Sequence, residues 1–214
     1  MDDAPQDGGR RGPGNRLAAG AIDGDMLTCW FCRRPVSQRA LFCHQCGSLQ
    51  PPAPLDAFAR LGLPRRFEVD PDALDRQLAG FTRPLDSERV RSRGPKEQAL
   101  AQRHRDALAA AHEALRDPVA RGRLLLELEG RPPAAAALDE PDPLWTALEA
   151  AGDAAAVDRV AAEVGRETET AVRGLAAAFR AGSLDRASAL IARAERLRHL
   201  AELARRRRAA LGQG

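Results

Sequence analysis

The 214-residue sequence contains no tyrosine, and aromatic residues make up only 4% of it. Lys96 is the single lysine; every other basic residue is arginine. No apolar run approaches the roughly 20 residues that a membrane-spanning helix needs, so a transmembrane segment is not expected. Met1–Gly24 is rich in Gly, Asp and Arg and has no continuous apolar core, so it does not read as a secretory signal, and a cytoplasmic setting is expected. The phosphate-cradling, dinucleotide-binding and nucleophile-elbow patterns are all missing, so a non-enzymatic protein is expected. The four cysteines lie within Cys29–Cys46, which excludes a disulfide framework spanning the chain.

What is present is alanine, arginine and leucine. Alanine buries little area, so a core built on it must be thin and made of closely packed helices. The net charge is +3, unevenly placed. Residues 1–25 carry three basic and five acidic groups, whereas residues 26–54 carry three arginines and no acid. Residues 55–130 carry fourteen basic against thirteen acidic groups, and residues 131–214 thirteen against twelve. Such balanced halves argue against a broad nucleic-acid footprint, leaving only the cysteine region and the Arg205–Arg208 run as basic clusters. That run reads as a solvated helix C-terminus.

Residues 1–25 lack periodicity and read as a disordered tail. A cysteine module follows over 26–50, then a stiff proline linker over 51–54. From Leu55 onward the signals are helical. Asp70-Pro71 is an N-cap followed by proline at the first helical position, and Leu74, Leu78, Phe81 and Leu85 then mark one helix face. Residues 86–95 break the period and read as a polar loop. Leu100, His104, Leu108, Ala111 and Leu115 trace a second helix, and Asp117-Pro118 opens a third that runs to Gly130. Residues 131–143 hold four prolines and read as a linker, with Asp142-Pro143 at its end as a further cap signal. Leu144, Trp145 and Leu148 open a short helix. Two long helices follow, one through Val157–Phe179 and one through Leu184–Ala204, joined by a turn at Gly182-Ser183. The expected fold is mostly α, with a small zinc-ribbon-like module, a helical hairpin over 55–130 and a helical bundle over 144–211.

Cys29-Trp-Phe-Cys32 and Cys43-His-Gln-Cys46 form two C-x2-C pairs separated by ten residues. Each pair converges two sulfurs from one tight turn, and two turns supply the closed four-sulfur shell of a structural metal. Zn2+ is the expected ion. A rubredoxin-like iron, a pair of disulfides and a redox dithiol remain as alternatives. With all four positions filled, such a site is structural and offers no place for a substrate water. His44 reads as a bystander, and His104, His112 and His199 as packing or surface histidines.

The ordered set of segments resembles HscB-type J-domain co-chaperones of iron–sulfur cluster assembly. The resemblance is carried by the cysteine pairs with Trp30, by Leu61-Gly-Leu-Pro-Arg-Arg-Phe-Glu-Val-Asp70, and by Asp117-Pro-Val-Ala-Arg-Gly-Arg-Leu-Leu-Leu-Glu-Leu-Glu-Gly130. It continues in Ala178-Phe179 and Leu184-Asp-Arg-Ala187. It implies a J domain that meets an HscA/DnaK-type chaperone and a C-terminal domain that meets an IscU-type cluster scaffold. The chaperone side would use Arg76 and Arg83 with the loop at Asp86, Ser87 and Glu88. The scaffold side would use Leu144, Trp145, Leu148 and Glu149. Self-association stays open.

One departure bears directly on activity. Asp86-Ser87-Glu88 stands where the family carries His-Pro-Asp, the tripeptide that triggers ATP hydrolysis in the chaperone. On the scaffold side, Ala150–Asp153 replaces the family's charged continuation. The residues therefore leave two other readings open. One is a J-like adaptor that binds without stimulating an ATPase. The other is a zinc-module nucleic-acid-binding protein, which the balanced charge and scarce aromatics disfavour.

Overall fold

The structure, a computed structural model, describes residues 26–133 and 142–212. The expected tail over 1–25 and most of the expected linker over 131–143 lie outside these residues. The chain divides into two compact units, one ending at Gln50 and the other starting at Pro51.

In the first unit, β1 (Met26–Thr28) pairs antiparallel with β2 (Pro35–Ser37), with Leu27 opposite Val36. Phe42 forms a bridge with Leu49. Val36, Cys29 and Cys43 form a buried cluster, and Leu49 is buried as well. So small a core cannot offset the chain entropy of ordering the unit without a further crosslink.

The second unit is helical. Its elements are α1 (Ala57–Arg60), α2 (Pro71–Thr82), α3 (Ser87–Arg91), α4 (Pro95–Arg116), α5 (Pro118–Leu128), α6 (Pro143–Ala150), α7 (Ala154–Arg180) and α8 (Leu184–Leu211). The Asp-Pro signals are realised three times: Asp70, Asp117 and Asp142 each accept a backbone N–H in the first turn, and proline follows where no N–H is needed. α2 and α4 run antiparallel. Asp75, early in α2, meets His112, late in α4, at 2.6 Å, whereas the Leu85 carbonyl beyond α2 accepts from Arg105 in mid-α4 at 2.5 Å.

Two expectations need correction. Residues 86–95 are not wholly a loop. Asp86 caps α3 by accepting from the Glu88 N–H at 2.9 Å, and α3 buries Val90. One isolated apolar residue among charges gave no period to read. The proline stretch at 51–54, expected as a stiff linker, also packs against the start of the helical unit. Ala53 is buried, and its carbonyl accepts from the Arg60 guanidinium at 2.8 Å, so the stretch belongs to the helical unit. Asp142 and Pro143, read as a cap signal at the end of the linker, are the cap and first residue of α6.

α7 and α8 form a long hairpin through Gly182, which takes a left-handed φ of 65°. Their seam buries Ala171, Ala178, Ala187, Ala194 and Ala204 among Leu175, Ile191, Leu197 and Leu200. α5 rests on this hairpin at Gly122, where an added Cβ would stand 3.3 Å from Ile191 and 3.4 Å from Phe179. Beside it Phe67 stacks on Phe179 with centroids 5.0 Å apart, and the Arg121 guanidinium lies 4.9 Å from the Phe67 ring centre. Residues 55–130 and 144–211, read separately in the sequence, thus share one unit. Among the described residues no helix is long and apolar enough to cross a membrane.

Candidate functional site

The four cysteines come together as their spacing requires. All four Sγ atoms lie within 4.8 Å of one another, with Cys29–Cys46 and Cys32–Cys43 each at 3.7 Å. A tetrahedron of sulfurs about 2.3 Å from a central ion has edges of about 3.8 Å. The donor set therefore fits a tetrahedral thiophilic ion.

Each pair is held by the same local bonding. The Arg33 N–H donates to the Cys29 carbonyl at 3.0 Å, and the Gly47 N–H donates to the Cys43 carbonyl at 2.8 Å. The residue after each second cysteine takes a left-handed backbone, φ 62° at Arg33 and 70° at Gly47. Two residues unremarked in the sequence complete the site. The Ser48 hydroxyl lies 3.1 Å from Cys46 Sγ and 3.4 Å from Cys29 Sγ. The Gln50 amide donates to the Ser48 hydroxyl at 2.9 Å and to Cys29 Sγ at 3.4 Å. Both are buried. A serine and a glutamine carry no periodicity; only the fold shows that they close over the sulfurs.

The electrostatics call for a cation. Burial raises the Cys29 thiol, but hydrogen bonds from Ser48 and from the backbone at Cys32 and Phe31 outweigh it and hold the thiol down at about 5. The Ser48 hydroxyl and backbone N–H also lower Cys46. At Cys32 the Arg34 backbone favours the thiolate, but desolvation and the three neighbouring sulfurs prevail and push it up to about 12. Thiolate begins to form beside Ser48, and the last proton is lost only when a bound cation compensates the gathered charge.

On the helical unit, Arg76 and Arg83 are exposed, and Arg76 pairs with Asp70 at 3.6 Å. Asp86, Ser87 and Glu88 are exposed in the connection between α2 and α4. That connection is tied to α4 by Arg105 at Leu85 and by Gln98, which donates to the Arg93 carbonyl at 2.8 Å. Of the second group, Leu148 is only 5% exposed and belongs to the packing of α6 on α7 and α8. Leu144 and Trp145 are half-buried against Val164, Leu197 and Leu200, and the Trp145 ring stacks on His199 at 6.0 Å. Glu149 is exposed. Leu148 therefore has little surface for a partner. Trp145, Leu148 and Glu149 line a hollow of about 180 Å³ with Leu203 and Arg207. Arg207 donates to the Glu149 and Ala151 carbonyls, closing the C-terminus of α6.

Four clustered cysteines that could hold a metal ion, followed in the chain by an antiparallel helix pair and a long helical hairpin, define a mostly α-helical protein with a candidate metal site. No protein-family model matches the sequence. The chain is 30% identical over 124 residues to the mouse "Iron-sulfur cluster co-chaperone protein HscB", covering 57% of this chain and 53% of that protein. It is 27% identical over 103 residues to the Arabidopsis thaliana HscB homologue, covering 48% and 40%. The chain thus spans about half the length, or less, of these curated relatives. The crystal structure of human HscB shares its fold with a TM-score of 0.76 at 22% identity, covering 86% of this chain and all of that one. HscB from Vibrio cholerae does so at 0.60 and 21%, covering 73% and 99%. The resemblance to HscB-type co-chaperones therefore holds in sequence and in fold.

Proposed function

We propose that this protein is an HscB-like co-chaperone of iron–sulfur cluster assembly. It would bind an IscU-type scaffold through the α6 surface at Leu144, Trp145 and Glu149, with Leu148 fixing the helix beneath them. It would present the scaffold to an HscA/DnaK-type chaperone through Arg76, Arg83 and the Asp86–Glu88 connection. ATP hydrolysis belongs to that partner, so the protein is itself no enzyme. Its setting would be cytoplasmic, and Zn2+ would occupy the tetrathiolate as a structural ion. The reading rests above all on the 30% identity to a named iron–sulfur co-chaperone over 124 residues.

A second reading is favoured by one observation. Asp86 caps α3, and no proline stiffens the connection at Ser87, so the segment differs from the family's trigger in charge and in backbone restraint. On that reading the protein is a J-like adaptor that binds without stimulating hydrolysis.

The ATPase rate of the host's HscA- or DnaK-type chaperone tests both. It is measured with the natural protein, with and without scaffold, and with the triple variant Asp86→His, Ser87→Pro, Glu88→Asp. Stimulation by the natural sequence supports the co-chaperone. Stimulation by the variant alone supports the adaptor. If neither stimulates and no scaffold is bound, both readings fail. Losing the Asp86 cap costs about 1 kcal/mol, so helical content is checked in parallel.

A further inference from the structure

Among the described residues, the exposed large hydrophobic side chains are Met26 (41%), Leu27 (49%), Phe31 (66%) and Leu211 (39%). Three of these four fall within six consecutive residues of the smallest unit in the chain. The same unit exposes Arg33, Arg34 and Arg39, and no acidic residue occurs from 26 to 54.

We propose that β1 and the Cys29–Arg34 turn form a docking surface for a protein segment that combines an apolar side chain with carboxylates. Phe31 would be its anchor. The ring stands between two metal ligands on a turn closed by Cys29 N–H to the Arg34 carbonyl at 2.8 Å and by Arg33 N–H to the Cys29 carbonyl at 3.0 Å. Trp30 backs it edge-on, with centroids 5.6 Å apart, and is itself fixed by its indole N–H donating to the Leu49 carbonyl at 2.7 Å. An aromatic side chain held out on so short a braced turn loses little freedom when a partner covers it, which is the condition for a binding hot spot.

Charge selects the partner class. Four thiolates around a divalent ion carry a net −2, so the three arginines leave the loaded segment 26–50 close to +1. That suits one or two carboxylates beside an apolar contact. It does not suit a polyphosphate backbone, whose binding grows with each phosphate neutralised. A protein partner is therefore favoured over nucleic acid. The inference is independent of the co-chaperone reading and uses neither α2 nor α6.

The test uses the full-length, zinc-loaded, 15N-labelled protein. The probe is a synthetic peptide of about a dozen residues alternating Glu with Leu around a central Phe. Controls are the same peptide with Lys for Glu, and a thymidine oligonucleotide of similar length. The acidic peptide is expected to shift amides within Met26–Arg34 and to bind at least tenfold more tightly than the lysine peptide. Phe31→Ala should weaken it at least tenfold and Arg34→Glu at least threefold, with both variants kept fully zinc-loaded at the concentrations used. Equal binding of the two peptides, tighter binding of the oligonucleotide, or shifts confined to the helical unit would overturn the proposal. So would shifts that follow protein concentration alone, which would assign the face to a second copy. A several-fold gain on deleting residues 1–25 would assign it to the chain's own start and equally overturn the proposal.

Discussion

Arg33 and Gly47 occupy equivalent places, one after the second cysteine of each pair, and both take a left-handed backbone. At Gly47 an added Cβ would meet nothing within 4 Å, so only the backbone conformation opposes a side chain there. A non-glycine residue in this region costs about 1 kcal/mol or somewhat more. Glycine returns part of that through the freer unfolded chain, about 0.4–1 kcal/mol. A net preference of about 0.5–1 kcal/mol for glycine remains. Because folding of this unit is coupled to the ion, that preference becomes a two- to fivefold difference in zinc affinity. Removing Arg33 also removes a cation beside the sulfurs, so the comparison must hold charge constant. Arg33→Gly is therefore set against Arg33→Ala, and native Gly47 against Gly47→Ala. Competition with a chromophoric chelator should give the glycine form two- to fivefold tighter zinc at both positions. A ratio of one at either position, or alanine binding more tightly, would refute the argument that φ limits these turns.

Three further outcomes are expected. Stripping the metal with a strong chelator should collapse the dispersed amide signals of residues 26–50 while leaving far-ultraviolet helical ellipticity nearly unchanged, since the cysteines and the helices belong to separate compact units. Gly122→Val should destabilise the helical unit by about 1–3 kcal/mol in urea titrations, because it drives methyl groups into Ile191 and Phe179. The third concerns pH. Burial would raise the Asp142 carboxyl, but the Leu144 N–H and the Arg193 guanidinium hold it below the ordinary carboxylate range, and Arg193 also grips Glu167. A lowered folded value adds stability above the unfolded pKa of about 4, which is lost as pH falls through the folded value. Thermal melts should therefore fall more steeply below pH 4 in the natural protein than in Asp142→Asn, which should itself be less stable at pH 7 by about 2 kcal/mol.

The parts that were legible in the sequence were those governed by local rules. C-x2-C spacing is a statement about one turn, and the Asp-Pro pairs before α2, α5 and α6 are statements about one helix end; both could be read directly. α3 escaped because its support is a single apolar contact, at Val90, and a cap, at Asp86, with no period between them. Ser48, Gln50 and Gly122 escaped for a different reason. Their roles depend on what lies across the fold, and nothing in a serine, a glutamine or a mid-helix glycine names that neighbour. The α6 group was only half-legible. An amphipathic start to a helix shows that one side will be covered, but not that Leu148 would be the covered residue while Glu149 faced solvent.

The alanine seam between α7 and α8 has an unusual mutational asymmetry built into it. In a core of leucines and phenylalanines the damaging changes are truncations, which leave holes. Here five of the eleven buried positions on the two helices are alanines, with almost nothing to remove. At those alanines damage must come instead from growth. Valine or leucine at Ala178, Ala187 or Ala194 would wedge the two longest helices apart along their length, whereas glycine at the same positions would cost only the modest loss of helix preference.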